Sequence, residues 1–482
     1  MVQDITCDLC VIGAGSGGLS VAAGAAQMGA RVVLIEKGAM GGDCLNTGCV
    51  PSKALLAAAH AAQTARRAGR FGIKTGKVSV NAKKVFAHVH GVIDGIAPHD
   101  SQERFEGLGV TVIREHAKFA APDLVEAGQT KVKAKYFVVA TGSHPFVPPI
   151  EGLAALSPLT NETVFDLNAV PEHLIVIGGG PVGCEMAQAF RGLGSEVTVL
   201  EMGAILSHDD ADAVEVVRTR LLEDGVVLHE EARVMRAQGT ADAPEVVVQD
   251  ADGGEHVVQG SHILVAAGRR ANVLDLGLER AGVDFSPVGV EVDARLRAVS
   301  NRRVFAIGDV AALGGKPGLQ FTHVAGLHAG VVIKNALFKL PAKARHATVP
   351  HVTYTDPELA HVGMIESRAR DAYTDAVRVL TSEFADNDRA RAEGETEGLI
   401  KVVLGRRGKI LGCTIVGPGA GELIAPWVLA MEKGLKIGAL ASTVAPYPTL
   451  GEVSKRAAGA AFTPSLYSDR TRAVVRFLLK FL

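Results

Sequence analysis

The sequence predicts an α/β protein with two Rossmann-like dinucleotide-binding domains followed by a C-terminal α+β domain. Two glycine-rich turns predict the two dinucleotide-binding domains. Each turn lies between an apolar strand and a helix, and a second strand follows the helix. The C-terminal part, from about Val349, mixes strands and helices without another such turn. A chain of 482 residues, 48% hydrophobic and with 55 glycines, is long enough for three or four domains.

The first glycine-rich turn, GAGSGG, follows the apolar run 9–12 and precedes a helix of small residues. Glycines let the chain turn tightly and approach a pyrophosphate, while the helix points its N-terminal amides at that anion. The next strand, RVVLIE, ends at Glu36, which would accept hydrogen bonds from a ribose. The glycines that would bind the first dinucleotide are Gly13, Gly15 and Gly18.

The second turn, GGGPVG, repeats this pattern, and its strand EVTVLE ends at Glu201 with the same spacing as in the first motif. An acid at this position repels a 2′-phosphate, and no arginine follows it in EMGAIL, so NADH is favoured over NADPH. A tight turn without a ligand is the alternative for either motif alone, and the matched pair argues against it. The glycines of this motif are Gly178, Gly180 and Gly183.

The segment GGDCLNTGCVPSK places Cys44 and Cys49 on either side of a short loop that contains Gly48. Two thiols at this spacing can close a small ring that electron pairs open and close. The run SKALLAAAHAAQ predicts a helix whose N-terminus would favour a thiolate at Cys49. A structural disulfide is the alternative, which a chain that looks cytosolic would rarely keep.

Three charged residues are further candidates for the same site. Lys53 follows Cys49 by one helical turn and would face the same side, although a solvated lysine is the alternative. Glu185 could be its buried partner, because a desolvated lysine needs an opposite charge. Asp309, at a strand end in AIGD, could bind polyol hydroxyls, although Gly-Asp pairs are also common in turns.

The other cysteines and the histidines indicate no metal site. Cysteines three apart on a strand face opposite sides, and no histidine has HExxH or comparable ligand spacing. We expect His323 and His328 to line a cofactor or the core. The cysteines that we interpret as structural are Cys7, Cys10, Cys184 and Cys413.

Charge and hydropathy restrict the partners and the location. A formal net charge of −2 does not indicate a nucleic-acid partner. The sequence shows no signal peptide and no long apolar span, which predicts a soluble cytoplasmic protein. The terminal stretch AVVRFLLKFL, residues 473–482, is apolar with two cations. It predicts a docked C-terminal helix, with weak contact to a membrane surface as the alternative.

Taken together, these residues resemble the flavin-dependent pyridine nucleotide–disulfide oxidoreductases, which include dihydrolipoamide dehydrogenase, glutathione reductase and mercuric reductase. The motifs that carry the resemblance follow the family order: GAGSGG, GGDCLNTGCVPSK, ATG, GGGPVGCE, AAGRRAN, VFAIGD and YTDPELAHVG. The resemblance implies FAD in the first domain, NAD(H) in the second, and a homodimer whose active sites are shared across the interface. It divides the chain into 1–150 (first part of the FAD domain), 151–271 (NAD domain), 272–346 (completion of the FAD domain) and 347–482 (dimerisation domain).

The resemblance also implies individual roles. Cys49 matches the cysteine nearest the flavin, and Cys44 matches the one that exchanges with substrate. Lys53 and Glu185 match an ion pair near flavin N5, and Asp309 matches a ribityl contact. Electrons would pass from NADH through FAD to the disulfide, and then to a thiol, disulfide or metal-ion acceptor. The resemblance adds four residues to the FAD site, namely Lys37, Gly42, Thr141 and Gly142. It adds Gly268 to the NAD site.

One departure from the family pattern concerns the acceptor. The dithiol and disulfide enzymes carry a histidine of the partner subunit before Pro-Thr, with a glutamate five residues later. This chain keeps Glu452 but has Tyr447 at the histidine position. A tyrosine with a pKa near ~10 is a poorer general base than a histidine near ~6.5. Mercuric reductase resembles the chain in carrying tyrosine in this region, but no cysteine follows Cys413 to form the vicinal pair that delivers its metal.

Four functions therefore remain open at the level of sequence. The first is a mercuric-reductase-like or lipoamide-dehydrogenase-like disulfide oxidoreductase with an unassigned acceptor. The second is a dihydrolipoyl dehydrogenase proper, and the third is a diaphorase that passes electrons to quinones or oxygen without the cysteines. The fourth, a non-catalytic flavoprotein subunit, is disfavoured because binding alone needs no redox thiols.

Overall fold

A computed structural model describes residues 3–481, except for the side chain of Asp375. The chain forms two compact units. The first contains the chain up to Gly179, Ala189–Met202 and Glu231–His346, and the second contains Gly180–Gln188, Gly203–Glu230 and the chain from Ala347 onward. The division at residues 150, 271 and 346 expected from the motifs stays a prediction.

The strands alternate with helices in the N-terminal half and gather in a separate sheet near the C-terminus. In chain order they are β1 (Gln3–Ile12), β2 (Val32–Ile35), β3 (Thr111–Ile113), β4 (Ala117–Ala121), β5 (Leu124–Ala127), β6 (Thr130–Val139), β7 (Ser143–Pro145), β8 (His173–Ile177), β9 (Glu196–Leu200), β10 (Val227–His229), β11 (Arg233–Thr240), β12 (Ala243–Gln249) and β13 (Glu255–Gln259). They continue with β14 (His262–Val265), β15 (Arg269–Ala271), β16 (Phe285–Ser286), β17 (Gly289–Glu291), β18 (Val304–Ala306), β19 (Ala311–Leu313), β20 (Lys316–Pro317), β21 (Pro350–Thr353), β22 (Glu358–Gly363), β23 (Arg378–Glu383), β24 (Leu399–Leu404) and β25 (Ile410–Gly417).

The helices follow the glycine turns and dominate the C-terminal end. The first eight are α1 (Ser16–Gln27), α2 (Gly42–Asn46), α3 (Cys49–Arg67), α4 (Ala82–Ile96), α5 (Gln102–Gly107), α6 (Pro181–Leu193), α7 (Ala211–Glu223) and α8 (Thr322–Ala336). The others are α9 (Glu366–Tyr373), α10 (Asp388–Glu393), α11 (Ala420–Leu423), α12 (Ala425–Glu432), α13 (Ile437–Ala441), α14 (Glu452–Ala460), α15 (Thr463–Leu466) and α16 (Asp469–Leu478).

The main sheet of the first unit has the strand order β3-β2-β1-β6-β5-β4, and β18 also pairs with β6. Strand β1 runs parallel to β2 and β6, and β18 runs parallel to β6. All four residues of β2 and the last four of β1 are buried, as in a parallel sheet covered on both faces. The carboxyl ends of these strands share one edge, where open α/β sheets bind ligands.

Strand β8, which leads into the second glycine motif, belongs to a smaller sheet in which it pairs in parallel with β9 and β14. Helix α6 connects β8 to β9, which confirms the second strand–turn–helix–strand pattern. Strands β11, β12 and β13 form an antiparallel meander. Apolar residues from these strands build a separate core cluster around Ile175 and Val246.

The second unit contains a five-stranded antiparallel sheet of order β21-β22-β25-β24-β23. All eight residues of β25 are buried, because this strand lies at the centre of the sheet. Trp427 of α12 is fully buried and donates its indole N–H to Ser454 of α14 at 3.0 Å. The C-terminal part is therefore α+β, as expected.

The C-terminal helix α16 forms, but the expectation that it docks is wrong for the described chain. None of its residues is buried, and every residue from Arg472 to Phe481 is exposed. The reason is that α14, and not α16, packs on β23 and β24 and closes the core of this unit. Leu482 lies outside the described residues. Within residues 3–481, no helix combines the length and the apolarity that crossing a membrane requires.

Candidate active site

The first glycine turn leaves no room for side chains. Gly13 has φ +104°, and a Cβ there would lie 2.4 Å from the carbonyl oxygen of Ala140. A Cβ on Gly18 would lie 1.9 Å from the carbonyl oxygen of Gly13. Gly15 caps α1 without a side-chain hydrogen bond, so the first amides of the helix can serve an anion. These features fit the pyrophosphate of a dinucleotide such as FAD.

Two acids hold the two glycine turns in the same way. The Oε2 of Glu36 accepts a hydrogen bond from the Ala14 amide at 2.6 Å, and its Oε1 accepts one from Gly38 at 2.6 Å. The Oε2 of Glu201 accepts from the Gly179 amide at 2.6 Å. Both carboxylates therefore sit at the carboxyl end of a strand and against the turn, where a ribose would lie.

The second turn repeats the steric constraint of the first. Gly178 has φ +111°, and a Cβ there would lie 2.5 Å from the carbonyl oxygen of Ala266. Gly180 and Gly183 stand at the start of α6, and Gly180 accepts a hydrogen bond from the Cys184 amide at 3.0 Å. Gly268 has φ +115°. Gly178 and Gly268 thus have backbone conformations that favour glycine, and the ligand roles of all the predicted NAD residues stay predictions.

The segment that carries the two cysteines rests on the first glycine turn. The Gly41 amide donates to the carbonyl of Ala14 at 2.9 Å. A Cβ on Gly42 would lie 2.6 Å from the Cα of Gly15, so this close approach requires glycine. Cys44 lies inside the short helix α2 rather than in a loop, and Cys49 is the first residue of α3. Both are thiols in the structure.

The Cys44 and Cys49 side chains shift each other's pKa in opposite directions. Because the Cys44 thiol donates a hydrogen bond to the Cys49 sulfur, the pKa of Cys49 falls to about 6 and the pKa of Cys44 rises well above its usual range. Partial burial of the sulfurs acts to raise both pKa values, whereas Thr322 and the ammonium of Lys53 contribute to the low pKa of Cys49. These side-chain contacts favour a Cys49 thiolate beside a protonated Cys44. The contribution of the helix N-terminus stays a prediction.

Thr322 is a site residue that the sequence analysis missed. It is the first residue of α8, and its hydroxyl lies 3.3 Å from the Sγ of Cys49. The only signal was its place in FTHVA, a segment that resembles mercuric reductase, since a threonine by itself has no distinctive pattern. His323, beside it, stacks on Phe321 with ring centroids 5.3 Å apart.

Asp309 lies in a one-turn helix directly after β18, next to a polar network that the sequence analysis also missed. The Ser143 hydroxyl donates to Asp309 at 2.6 Å, and Arg269 donates to the same hydroxyl at 2.7 Å. Arg269 also pairs with Asp43, the neighbour of Cys44, at 3.1 Å. Burial raises the pKa of Asp309, and the Ser143 and Arg269 contacts lower it.

The remaining predicted FAD residues differ in how firmly they are held. The Thr141 hydroxyl donates to the carbonyl of Asn272 at 2.7 Å, and Gly142 accepts from the Asn272 amide at 2.9 Å. These bonds hold the segment that follows β6. Lys37 is exposed.

Lys53, the candidate neighbour of the cysteine pair, lies in the first turn of α3. Its ammonium donates to the Ser52 hydroxyl at 3.4 Å.

His328 belongs to the core, one of the two locations that we expected for it. Its Nδ1 accepts from the Gly308 amide at 3.2 Å, next to Asp309. Its Nε2 lies 2.7 Å from the Nε2 of His346, so the two rings share one proton. Burial, and to a smaller extent the neighbouring His346, lower the pKa of His328 to about 4.

Three candidate residues, Glu185, Tyr447 and Glu452, belong to the second unit. The Oε1 of Glu185, which is buried, accepts from the Tyr354 amide at 2.9 Å. Its pairing with Lys53 stays a prediction. Tyr447 is 71% exposed and donates its hydroxyl to Asp388 at 3.1 Å, and this hydrogen bond raises the pKa of Tyr447. Glu452 begins α14 and is half-buried.

Comparisons with known proteins agree with this arrangement. The profile of the family described as pyridine nucleotide-disulphide oxidoreductase matches residues 7–329, and the profile of its dimerisation domain matches residues 349–458. A mercuric reductase of Streptomyces lividans is 34% identical over 461 residues, covering 94% of this chain and 95% of the relative. A dihydrolipoyl dehydrogenase of Geobacillus stearothermophilus is 34% identical over 456 residues, covering 93% and 94%.

The fold is also similar to that of a solved structure. The Cu(II) complex of the HOCl-induced flavoprotein disulfide reductase RclA from Escherichia coli superposes with a TM-score of 0.83 at 25% sequence identity. The similarity covers 95% of this chain and 99% of the RclA chain.

Proposed function

Because the chain belongs to the family of pyridine nucleotide–disulphide oxidoreductases, we propose that it reduces a thiol-binding metal ion with electrons from NADH. The family assignment makes it an FAD-dependent disulfide oxidoreductase that uses a pyridine nucleotide, and its dimerisation domain makes it a homodimer. What we add is the acceptor, the preference for NADH, the assignment of Cys44 and Cys49 as the redox pair, and a cytoplasmic location.

The hydrogen bond from Tyr447 to Asp388 is the observation that carries the choice of acceptor. The reduced pair leaves a proton on Cys44, which must be lost before this sulfur attacks another disulfide. The family resemblance assigns that proton transfer to the position of Tyr447. A phenol that donates to a carboxylate and has a raised pKa cannot accept this proton near neutral pH.

A metal ion avoids this difficulty because it displaces the thiol proton when it binds sulfur. Two relatives point in the same direction, one named a mercuric reductase and the other solved as a Cu(II) complex. The four cysteines outside the pair, Cys7, Cys10, Cys184 and Cys413, are all buried. A metal ion would therefore reach Cys44 and Cys49 directly, without the accessory cysteine pair of the usual mercuric enzyme.

The residues of the first unit have defined tasks in this proposal. The glycine turn and the N-terminus of α1 bind the pyrophosphate, Glu36 binds a ribose, and Asp309 binds a polyol hydroxyl. When bound, FAD would supply a carrier for the electron pair between the nicotinamide and the disulfide. Lys53 and Thr322 hold Cys49 as a thiolate, so the proton of the reduced pair stays on Cys44.

The negative charge of Glu201, beside the expected position of the second ribose, supports the proposed preference for NADH. Glu201 lies against the second glycine turn, and a 2′-phosphate beside it would bring like charges together. The next four residues, Met202 to Ile205, include no cation that could offset this repulsion.

A panel of acceptors tests the proposal. The purified protein is reduced with NADH under anaerobic conditions and then offered Hg(II), Cu(II), lipoamide, glutathione disulfide and a quinone. We expect fast turnover with a metal ion and slow turnover with both disulfides. The Cys44→Ser variant should lose the metal-ion reaction, and full activity in that variant with quinone or oxygen would identify a diaphorase instead.

The role of Tyr447 is tested with the reverse reaction, in which dihydrolipoamide is oxidised and NAD⁺ is reduced. We expect Tyr447→His to raise dihydrolipoamide turnover at least about tenfold, because a histidine supplies the missing base. Tyr447→Phe is the matched control and should not raise it. Fast lipoamide turnover by the wild-type protein, slowed by Tyr447→His, would identify a dihydrolipoyl dehydrogenase and contradict the proposal.

A further inference from the structure

The C-terminal helix α16 has a fixed start and projects only exposed side chains. The Ser468 side chain accepts a hydrogen bond from the Thr471 amide at 3.2 Å, which caps the helix. The Thr471 hydroxyl donates to the carbonyl of Ser465 at 2.7 Å and ties the first turn to the preceding segment. The helix therefore starts at a defined residue, although none of its residues is buried.

The exposed side chains are divided into an apolar and a cationic face. Val474, Phe477 and Leu478 of α16 follow the i, i+3, i+4 spacing of one helix face, and Phe481 follows at i+7 in the one-turn 3-10 helix Leu479–Phe481 that continues α16. They are between 51% and 74% exposed. Arg472 and Arg476 lie on the opposite face of α16, and Lys480 continues their spacing of four residues in the 3-10 turn.

The segment that matches the dimerisation domain does not extend to this helix. The match to the dimerisation domain ends at residue 458, and α16 begins at Asp469. Two copies of α16 would also carry the same excess of positive charge, which a negatively charged surface complements and a second copy does not. Charge complementarity therefore favours a negatively charged partner over a second copy of the chain.

The length of the helix decides how it could meet a membrane. Ten residues of α-helix extend about 15 Å, whereas the hydrocarbon core of a bilayer is about 30 Å thick. A helix of this length with Phe and Leu on one face and Arg and Lys on the other can lie in the interface of a bilayer with anionic lipids.

We propose that α16 is an interfacial helix that attaches the protein to the surface of an anionic lipid bilayer. Its apolar face enters the boundary between headgroups and acyl chains, and its cations bind lipid phosphates. This attachment is independent of the acceptor proposed above, since no residue of the redox or nucleotide-binding sites takes part.

Co-sedimentation of the full-length FAD-loaded protein with vesicles tests this attachment. The vesicles contain phosphatidylcholine alone or phosphatidylcholine mixed with phosphatidylglycerol. We expect binding to the mixed vesicles, release by high salt, and little binding to phosphatidylcholine alone. Failure to bind the mixed vesicles, or equal binding to both kinds, would overturn the proposal.

Two double variants separate the contributions of the helix faces. Phe477→Ser with Leu478→Ser should lower vesicle binding by at least roughly tenfold through lost apolar contact. Arg472→Gln with Arg476→Gln should lower it by roughly fivefold for each cation. The matched control, Lys74→Gln with Lys77→Gln, removes two exposed cations elsewhere and should bind like the wild type.

Solution measurements on the same variants distinguish the alternatives. All variants should keep the NADH-dependent reductase activity and the sedimentation coefficient of the wild type without lipid. Unchanged vesicle binding in both helix variants would overturn the proposal. A fall in oligomer size in the Phe477→Ser, Leu478→Ser variant, with no vesicle binding by the wild type, would show that a second copy covers the helix.

Discussion

The hydroxyl of Thr322 lies 3.3 Å from the Sγ of Cys49, although 273 residues separate them in the sequence. The contact joins the N-terminus of α8 to the N-terminus of α3 within the first compact unit. A hydroxyl in this position can donate to a thiolate but adds no charge. Thr322 thus helps to decide which of the two thiols keeps the proton.

Thr322→Val should raise the pKa of Cys49 by about one pH unit from its value of about 6, because a hydrogen bond to a charged sulfur is lost. The rate of iodoacetamide alkylation of the reduced protein, measured against pH, reports this pKa. Thr322→Ser keeps the hydroxyl and should follow the wild-type profile. Identical profiles for the valine and wild-type proteins would remove Thr322 from the site.

Arg269→Gln should weaken FAD binding by about tenfold. Arg269 donates to Ser143, which donates to Asp309, so its loss leaves a partly buried carboxyl with less compensation. FAD release is measured by the rise in flavin fluorescence on dilution. Arg270→Gln is the matched control, since Arg270 is exposed and stacks on Phe146. Equal FAD loss in both variants would refute a specific role for Arg269.

The protein should lose stability as pH falls from about 6.5 toward about 4. His328 is neutral in the folded state with a pKa of about 4, whereas in the unfolded chain its pKa is near ~6.5. Its protonation therefore favours unfolding, and its contribution is complete above the unfolded value. The buried His361, with a pKa of about 4, acts in the same direction. His328 alone should account for about 2 kcal/mol between about pH 7 and about pH 5.

His328→Asn measures this share, because asparagine can still accept from the Gly308 amide but does not titrate. The free energy of unfolding, obtained from urea denaturation at both pH values, should change less with pH in this variant than in the wild type. His323→Gln is the matched control, because His323 lies on the same helix and stacks on Phe321. This variant should keep the pH dependence of the wild-type protein. An unchanged dependence in His328→Asn would contradict the assignment.

Glu201→Gln should raise the ratio of kcat/KM for NADPH to that for NADH by roughly tenfold, since it removes a charge that repels a 2′-phosphate. Glutamine retains an oxygen for the Gly179 amide, so the turn should keep its shape. Steady-state kinetics with both nucleotides and a common acceptor measure the ratio. Glu196→Gln changes an exposed acid on the same strand and should leave the ratio unaltered. An unaltered ratio in Glu201→Gln would indicate that this acid does not set the preference.

The parts of the fold that local sequence encodes could be predicted. Glycines followed by a helix and an acid indicate a nucleotide turn, because the steric and charge requirements lie within one strand–turn–helix–strand unit. The structure confirms both units, and it places Glu36 and Glu201 in equivalent hydrogen bonds. The helix after Cys49 was predictable for the same reason.

The parts that depend on distant contacts could not be predicted. Thr322 and Arg269 reach the site from segments far away in the sequence, and neither residue type indicates its partner. The expectation that the C-terminal helix docks was wrong for another reason. Its apolar residues predicted docking, but an amphipathic pattern states only that one face needs a partner and not that the same chain supplies it.

An anaerobic NADH titration of the wild type and of Cys44→Ser tests the central claim, that electrons leave through the Cys44–Cys49 pair. In the wild type, the first equivalent of NADH should reduce the disulfide. It should produce a long-wavelength charge-transfer band from the Cys49 thiolate beside oxidised FAD. Cys44→Ser cannot form the disulfide, so it should show this band before NADH is added. The account is contradicted if the first equivalent bleaches the flavin without such a band in both proteins.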